Sequence, residues 1–158
     1  WITKAQLFES MKRIIIIFLA IFLLGCAPKY DPRLIGTWQS NRADTVAEAF
    51  KRDPAWHEAA PERIQRFRQM FGHMVVTYTK NSAVIEYKEE KCELNYTVIE
   101  KGEGFVVIKT IGGLDDQQDL RLSFSEDLSS YWIDSGWGVR EKFDKISAGE
   151  SRDFNPTR

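Results

Sequence analysis

The segment from His73 to Lys88 reads HMVVTYTKNSAVIEYK, and its pattern predicts a β-hairpin. Apolar and polar side chains alternate along its two arms, 73–80 and 83–88, as expected of strands that bury one face. Asn81-Ser82 lies between the arms, and both residue types favour turns because their side chains bond to nearby backbone groups. An antiparallel strand pair is therefore the starting unit of the fold.

The same alternation continues on both sides of this hairpin. Residues 92–99 and 105–111 flank Lys101–Gly104, whose two glycines suit a tight turn. Four further stretches read as strands: 34–40, 119–124, 130–134 and 137–143. Short links between eight strands favour an antiparallel up-and-down barrel, because closure removes every exposed strand edge. We therefore expect a mainly-β, eight-stranded barrel, with a packed β-sandwich as the competing fold.

One stretch after the first strand, 44–72, changes to helical periodicity. Thr45–Glu48 has the spacing of a capping box, and Asp53-Pro54 ends the first helix. Pro61 suits the first turn of a second helix, which Gly72 terminates. The barrel is therefore expected to carry a two-helix insertion.

The N-terminal residues are typical of an exported chain. Lys12 and Arg13 precede 11 uninterrupted apolar residues, 14–24. A membrane-spanning helix needs about 20 apolar residues, whereas this length suits a secretory signal. The ending Leu23–Cys26 resembles the lipobox of bacterial lipoproteins, in which the cysteine is acylated before the signal is removed.

That resemblance implies an organisation for the whole chain. We interpret 1–10 as an upstream extension, 11–25 as a signal peptide and 26–32 as the lipidated Cys26 with a short tether. The barrel follows at 33–146, and 147–158 is a polar tail. By the same resemblance, Ala27 after the cysteine implies an anchor in the outer membrane of the bacterial cell envelope, facing the periplasm.

Composition argues against several classes of function. A net charge of −1 provides no basic face for nucleic acid, and two histidines are too few for a multi-histidine metal centre. The spacing of His57, Glu58, Glu62 and His73 does not match H-E-x-x-H, and no G-x-S-x-G motif is present. Asp115-Asp116 is read as a turn. We expect neither an enzyme nor a cofactor or metal.

Cys92 is the second cysteine of the chain, and lipidation would consume the first, Cys26. Cys92 alternates with Leu94 and Tyr96 along a predicted strand. We therefore expect a buried, unreactive thiol.

Gly36-Thr37-Trp38 on the first strand resembles the G-x-W signature of lipocalins and of bacterial lipocalin-like, calycin-type lipoproteins. The resemblance covers 33–146. It implies that Trp38 closes one end of the barrel and that a basic residue of the last strand lies over the indole. Arg140 matches that role, with Lys142 as the alternative, and such a contact contributes about 0.5–2 kcal/mol.

An eight-stranded barrel holds either its own side chains or one small ligand, and both interpretations stay open. In the first, a small apolar or amphipathic molecule binds inside. The candidate pocket residues are Trp56, Phe67, Phe71, Tyr78, Tyr87, Leu94, Tyr96, Leu122, Phe124 and Tyr131. In the second, the barrel is solid, and the surface of helix 61–71, with Arg63 and Arg66, contacts another envelope protein.

Overall fold

Eight antiparallel strands, joined in sequence order, close into a barrel. The computed structural model describes residues 30–111, 119–134 and 138–147. The predicted fold class is confirmed, and the sandwich alternative is wrong. The strands are β1 (Gly36–Ser40), β2 (Met74–Tyr78), β3 (Ser82–Tyr87), β4 (Glu90–Lys101), β5 (Phe105–Ile111), β6 (Asp119–Phe124), β7 (Ser130–Asp134) and β8 (Arg140–Ile146).

The first and last strands complete the barrel. Trp38 of β1 lies opposite Val76 of β2 on one side and Lys145 of β8 on the other. Because opposed residues in an antiparallel pair share a face, this register fixes which side chains point inward. The inward positions hold the main apolar core, which contains Leu34, Trp38, Val76, Tyr78, Ala83, Tyr96, Val106, Ile108, Leu122, Tyr131 and Phe143.

The predicted two-helix insertion is confirmed between β1 and β2. It consists of α1 (Arg42–Arg52), a short 3-10 helix (Pro54–Glu58) and α2 (Pro61–Gln69). The first helix begins at Arg42, two residues before the expected boundary at 44. Asn41 is its N-cap, and the Asn41 side chain accepts a hydrogen bond of 3.0 Å from the Asp44 N–H.

Thr45 is not a capping residue but a buried position within α1. Its hydroxyl accepts a hydrogen bond of 3.0 Å from the backbone N–H of Lys142 in β8. The helix is therefore attached to the barrel wall through the residue that the sequence pattern placed at its start. None of the described helices has the length and apolarity needed to span a membrane.

Several strand boundaries also differ from those predicted, and two of the differences at the ends of the barrel matter for the fold. The last strand is Arg140–Ile146 rather than 137–143, because Trp38 and Ser40 of β1 pair with Lys145 and Phe143. The end of the predicted tether is also part of the fold, since Asp31 is buried and forms an ion pair with Arg33 at 2.9 Å.

Several predicted features lie outside the described residues. They are the upstream extension 1–10, the signal peptide 11–25, Cys26 with the first part of the tether, Asp115-Asp116, and the tail from residue 148 onward.

Candidate ligand-binding cavity

A cavity of about 200 Å³ lies inside the barrel. Its wall is mainly aliphatic. The apolar lining includes Met74, Val76, Ile85, Leu94, Ile108, Leu120 and Ile133. The cavity reaches the end of the barrel where β7 stops, because Asp134 also lines it and has a 71% exposed side chain. We call this end the open end and the opposite end, around Trp38, the closed end.

Two tyrosines separate the cavity from the closed end. Tyr78 and Tyr131 both line the cavity, are buried, and interact through their hydroxyl groups. Burial raises the pKa of Tyr78 to about 12 and that of Tyr131 well above its ordinary value. Both phenols are therefore neutral hydrogen-bonding groups in an otherwise apolar space.

Glu141 is a carboxylate side chain in the cavity wall. Its register opposite Ile133 turns it inward, and only 9% of the residue is exposed. Burial raises the pKa of its carboxyl group, which the hydrogen bond from Ser40 partly counteracts. That bond runs from the Ser40 hydroxyl to Oε1 of Glu141. An acid in an apolar wall is the chemically distinctive feature of this cavity.

The hydroxyl of Ser40 also connects Glu141 to the helical insertion. It accepts a hydrogen bond of 2.9 Å from the backbone N–H of Gly72, where the insertion returns to the barrel. Gly72 has φ of +84°, and a Cβ there would lie 3.0 Å from the Cβ of Arg42. The Arg42 guanidinium in turn donates to the carbonyl of Phe71 at 2.9 Å. The rim beside Glu141 is thus fixed by backbone contacts.

The closed end is filled around Trp38. Trp38 is fully buried, its indole N–H donates to the Leu34 carbonyl at 2.8 Å, and its ring lies 4.8 Å from that of Tyr131. Gly36, the other member of the motif, has φ of +130°, and a Cβ there would lie 3.1 Å from Cε of Lys145. A side chain at this position would therefore be strained and would press on Lys145.

The cation over the Trp38 ring is Lys145, with its Nζ 5.1 Å from the ring centroid. The prediction of Arg140 was wrong, because Arg140 faces outward and lies over Trp132 at 5.4 Å. Lys142, the alternative, also faces outward and binds Asp44 at 2.6 Å. The motif indicated the right kind of contact, but the strand register supplies the cation three positions after the second choice, Lys142.

Arg33 completes the closed end, and the sequence reasoning did not single it out. Its guanidinium donates to the carbonyls of Gly102 and Glu103 at 2.9 and 2.8 Å, and to that of Phe105 at 3.3 Å. It also holds both carboxylate oxygens of Asp31. The chain entering β1 is thereby fixed across the β4–β5 turn.

The structure brings three of the ten predicted pocket residues to the cavity: Tyr78, Leu94 and Tyr131. Three others fill the barrel core away from it. Tyr96 and Leu122 are buried, and Phe124 lies 6.1 Å from Trp38. Tyr87 does not line the cavity but lies beside the ring of His73, at 6.2 Å.

The three predicted pocket residues from the insertion form a core of their own. The rings of Trp56 and Phe67 lie 4.2 Å apart, and Phe71 contacts Phe67 at 5.1 Å. Val46 and Ala49 of α1 complete this group. The insertion therefore packs on itself and against the outside of β8, and neither plugs nor lines the cavity.

Cys92 is exposed, so the prediction of a buried thiol was wrong. It lies opposite Ile85, on the inward-facing register of β4, but near the start of that strand at the open end. The alternation was read correctly, whereas the depth of the residue along the barrel was not. Among the described residues, no three His, Cys, Asp or Glu side chains cluster closely enough to hold a metal ion.

Comparison with known proteins adds no relative: no family model, no curated protein and no solved structure matches the chain. The closed eight-stranded antiparallel barrel is consistent with a lipocalin-like fold. The assignment of a function therefore depends on the cavity and on the sequence itself.

Proposed function

We propose that this chain is a non-enzymatic binding protein that holds a small apolar or amphipathic molecule inside its barrel. The cavity of about 200 Å³ is the observation that carries the proposal. Ligand sites are concave and mostly apolar, with a few placed polar groups, and this wall of aliphatic side chains with two tyrosines and one glutamate has that composition. The solid-barrel alternative fits less well, since it requires a filled interior.

The size of the cavity limits the ligand. A dry apolar cavity of about 150 Å³ holds a benzene molecule. A volume of about 200 Å³ therefore suits a molecule of roughly eight to ten non-hydrogen atoms, such as a benzene ring with a short chain. Transfer of its apolar surface from water would supply most of the binding free energy.

The proposal includes a lipid anchor in the bacterial outer membrane, attached at Cys26. It is supported by the basic start, the 11-residue apolar run and the lipobox-like ending. Asp31 at the closed end is only five positions after Cys26, and an extended chain of five residue steps spans at most about 18 Å. The anchor would hold the closed end towards the membrane and leave the open end facing the periplasm.

Ligand binding is tested by calorimetric titration of the full chain, reconstituted in phosphatidylcholine nanodiscs, with propylbenzene. Empty nanodiscs supply the blank. Ala83→Leu adds three carbons to the cavity wall and is expected to weaken binding at least about tenfold, because the added volume occupies the site. Val84→Leu, on the outer face of the same strand, is the matched control. Absence of binding to the unmodified chain would overturn the proposal.

The anchor is tested separately by growing cells with labelled palmitate. The unmodified chain is expected to incorporate label and to fractionate with the outer membrane, whereas Cys26→Ser should do neither. Equal labelling of both chains would show that Cys26 is not the lipidated residue.

A further inference from the structure

We propose that the cavity selects a cation: a small molecule with an apolar body and one protonated amino group, which binds beside Glu141. This inference rests on the proposed ligand-binding function and specifies its ligand class. Two observations carry it. The Glu141 residue is nine-tenths buried in the wall of an apolar cavity, and none of the described residues that line this cavity is basic.

Glu141 lacks a charged partner in the described part of the chain. The Ser40 hydroxyl donates to Oε1, and no ion pair is formed between Glu141 and any described Lys, Arg or His. Buried carboxylates in proteins are normally paired with a cation or with several hydrogen-bond donors. A ligand ammonium group would supply what the protein does not.

The other charges near the cavity do not compensate this carboxylate. Asp134 at the open end is acidic as well, and it is already paired with Arg140 at 3.5 Å on the outside of the barrel. Lys142 also faces outward and is bound to Asp44. The described lining thus contains two carboxylates and no basic side chain, and this negative charge attracts a cation and repels an anion.

The energetic argument depends on which groups lose water when the ligand binds. Folding has already removed most of the Glu141 residue from water, so ligand binding adds mainly the dehydration of the ammonium group. The ammonium then gains a charge-assisted hydrogen bond in a site of low dielectric constant. The apolar body of the ligand contacts the aliphatic wall around Ile85 and Ile133. An amine should therefore bind more tightly than a neutral molecule of equal size.

Three probes of similar size separate these effects: phenethylamine, propylbenzene and phenylacetate. Each is titrated into the full chain in phosphatidylcholine nanodiscs at a slightly alkaline pH, which favours the ionised form of the Glu141 carboxyl group. We expect phenethylamine to bind at least about tenfold more tightly than propylbenzene, and phenylacetate to bind most weakly. Glu141→Gln should abolish the preference for the amine, whereas Asp134→Asn, which removes the exposed acid, should retain most of it.

Binding of propylbenzene to Glu141→Gln shows that the variant is folded and its cavity intact. Equal affinity of the unmodified chain for all three probes, or a preference for phenylacetate, would overturn the cation proposal and leave the ligand-binding function standing. The cation proposal would also be overturned if Glu141→Gln kept the preference for the amine. Failure of all three probes to bind would overturn the ligand-binding function itself.

Discussion

The two ends of the barrel differ in how they use their interior. At the closed end, Trp38 and Leu34 have no exposed surface, and the space between them and the rings of Tyr131 and Phe124 is filled. At the open end, Glu141 borders an unfilled volume of about 200 Å³. Dense packing and a ligand cavity cannot occupy the same place. The difference indicates that the closed end stabilises the fold and that the open end is free for binding.

The charged side chains of the two ends also differ, in how many hydrogen bonds they form. Arg33 at the closed end uses its guanidinium fully, on the carboxylate of Asp31 and on three backbone carbonyls. Among the described residues, Glu141 at the open end has a single hydrogen-bond donor, Ser40. A fully bonded charge fixes a structure, whereas an under-bonded one is available to a ligand.

Replacing Trp38 with alanine should have the largest effect on stability. We expect the free energy of unfolding to fall by about 3–5 kcal/mol in urea titration, since the side chain is fully buried and leaves a large void. Leu94→Ala at the open end should lose less than half as much, because Leu94 is only partly buried and already borders empty space. Equal losses would contradict the division between the two ends.

Arg33→Met should lower the free energy of unfolding by about 2 kcal/mol, because it breaks charged hydrogen bonds to the β4–β5 turn and leaves Asp31 unpaired. Arg121→Met is the matched control. The Arg121 guanidinium also contacts Phe105, with its carbon 3.6 Å from the centroid of the ring, but Arg121 is exposed. If Arg33→Met lowered the free energy of unfolding no more than Arg121→Met, the stability of the closed end would not depend on the hydrogen bonds of Arg33.

The pH dependence of stability tests the buried acid of the open end. Burial raises the pKa of Glu141 above its ordinary value of 4.5, so the folded chain keeps this proton after the unfolded chain has lost it. The free energy of unfolding should therefore fall as the pH rises from 4.5 through the raised pKa. Glu141→Gln should lack this contribution, and urea titrations at several pH values measure it.

Asp31 at the closed end has the opposite sign. Its hydrogen bonds with Arg33 lower its pKa below 3.8, so it adds stability that is lost only on acidification below that value. The two pH ranges do not overlap. Identical pH profiles of the unmodified chain and Glu141→Gln above pH 4.5 would contradict the buried environment of Glu141.

The barrel was predictable because its inner faces alternate with polar outer faces, as in the segment from Met74 to Tyr87. The strand count then favoured closure. Which side chains of the last strand face inward could not be predicted in the same way. Basic side chains occur at Arg140, Lys142 and Lys145, and only pairing with β1 decides that Lys145 faces inward. For the same reason, the inward-facing position of Glu141 was not predicted.

The cavity had no signal in the sequence for a related reason. Apolar periodicity indicates that a side chain is buried, but it does not indicate which residues pack against it. Trp56 and Phe67 satisfy each other within the insertion. The small side chain of Ala83 leaves space in the barrel that Leu94, opposite it, does not fill. Such distances depend on the three-dimensional packing of residues far apart in the chain.

The smallest effect is expected for Cys92 at the open end. Because its side chain is exposed, Cys92→Ser should change the free energy of unfolding by less than about 0.5 kcal/mol. The thiol of the folded chain should react with a maleimide nearly as fast as that of the urea-unfolded chain, since no opening of the barrel is needed. A reaction that proceeds only on unfolding would show that the open end encloses this residue. That result would mean that both ends of the barrel are densely packed, and not the closed end alone.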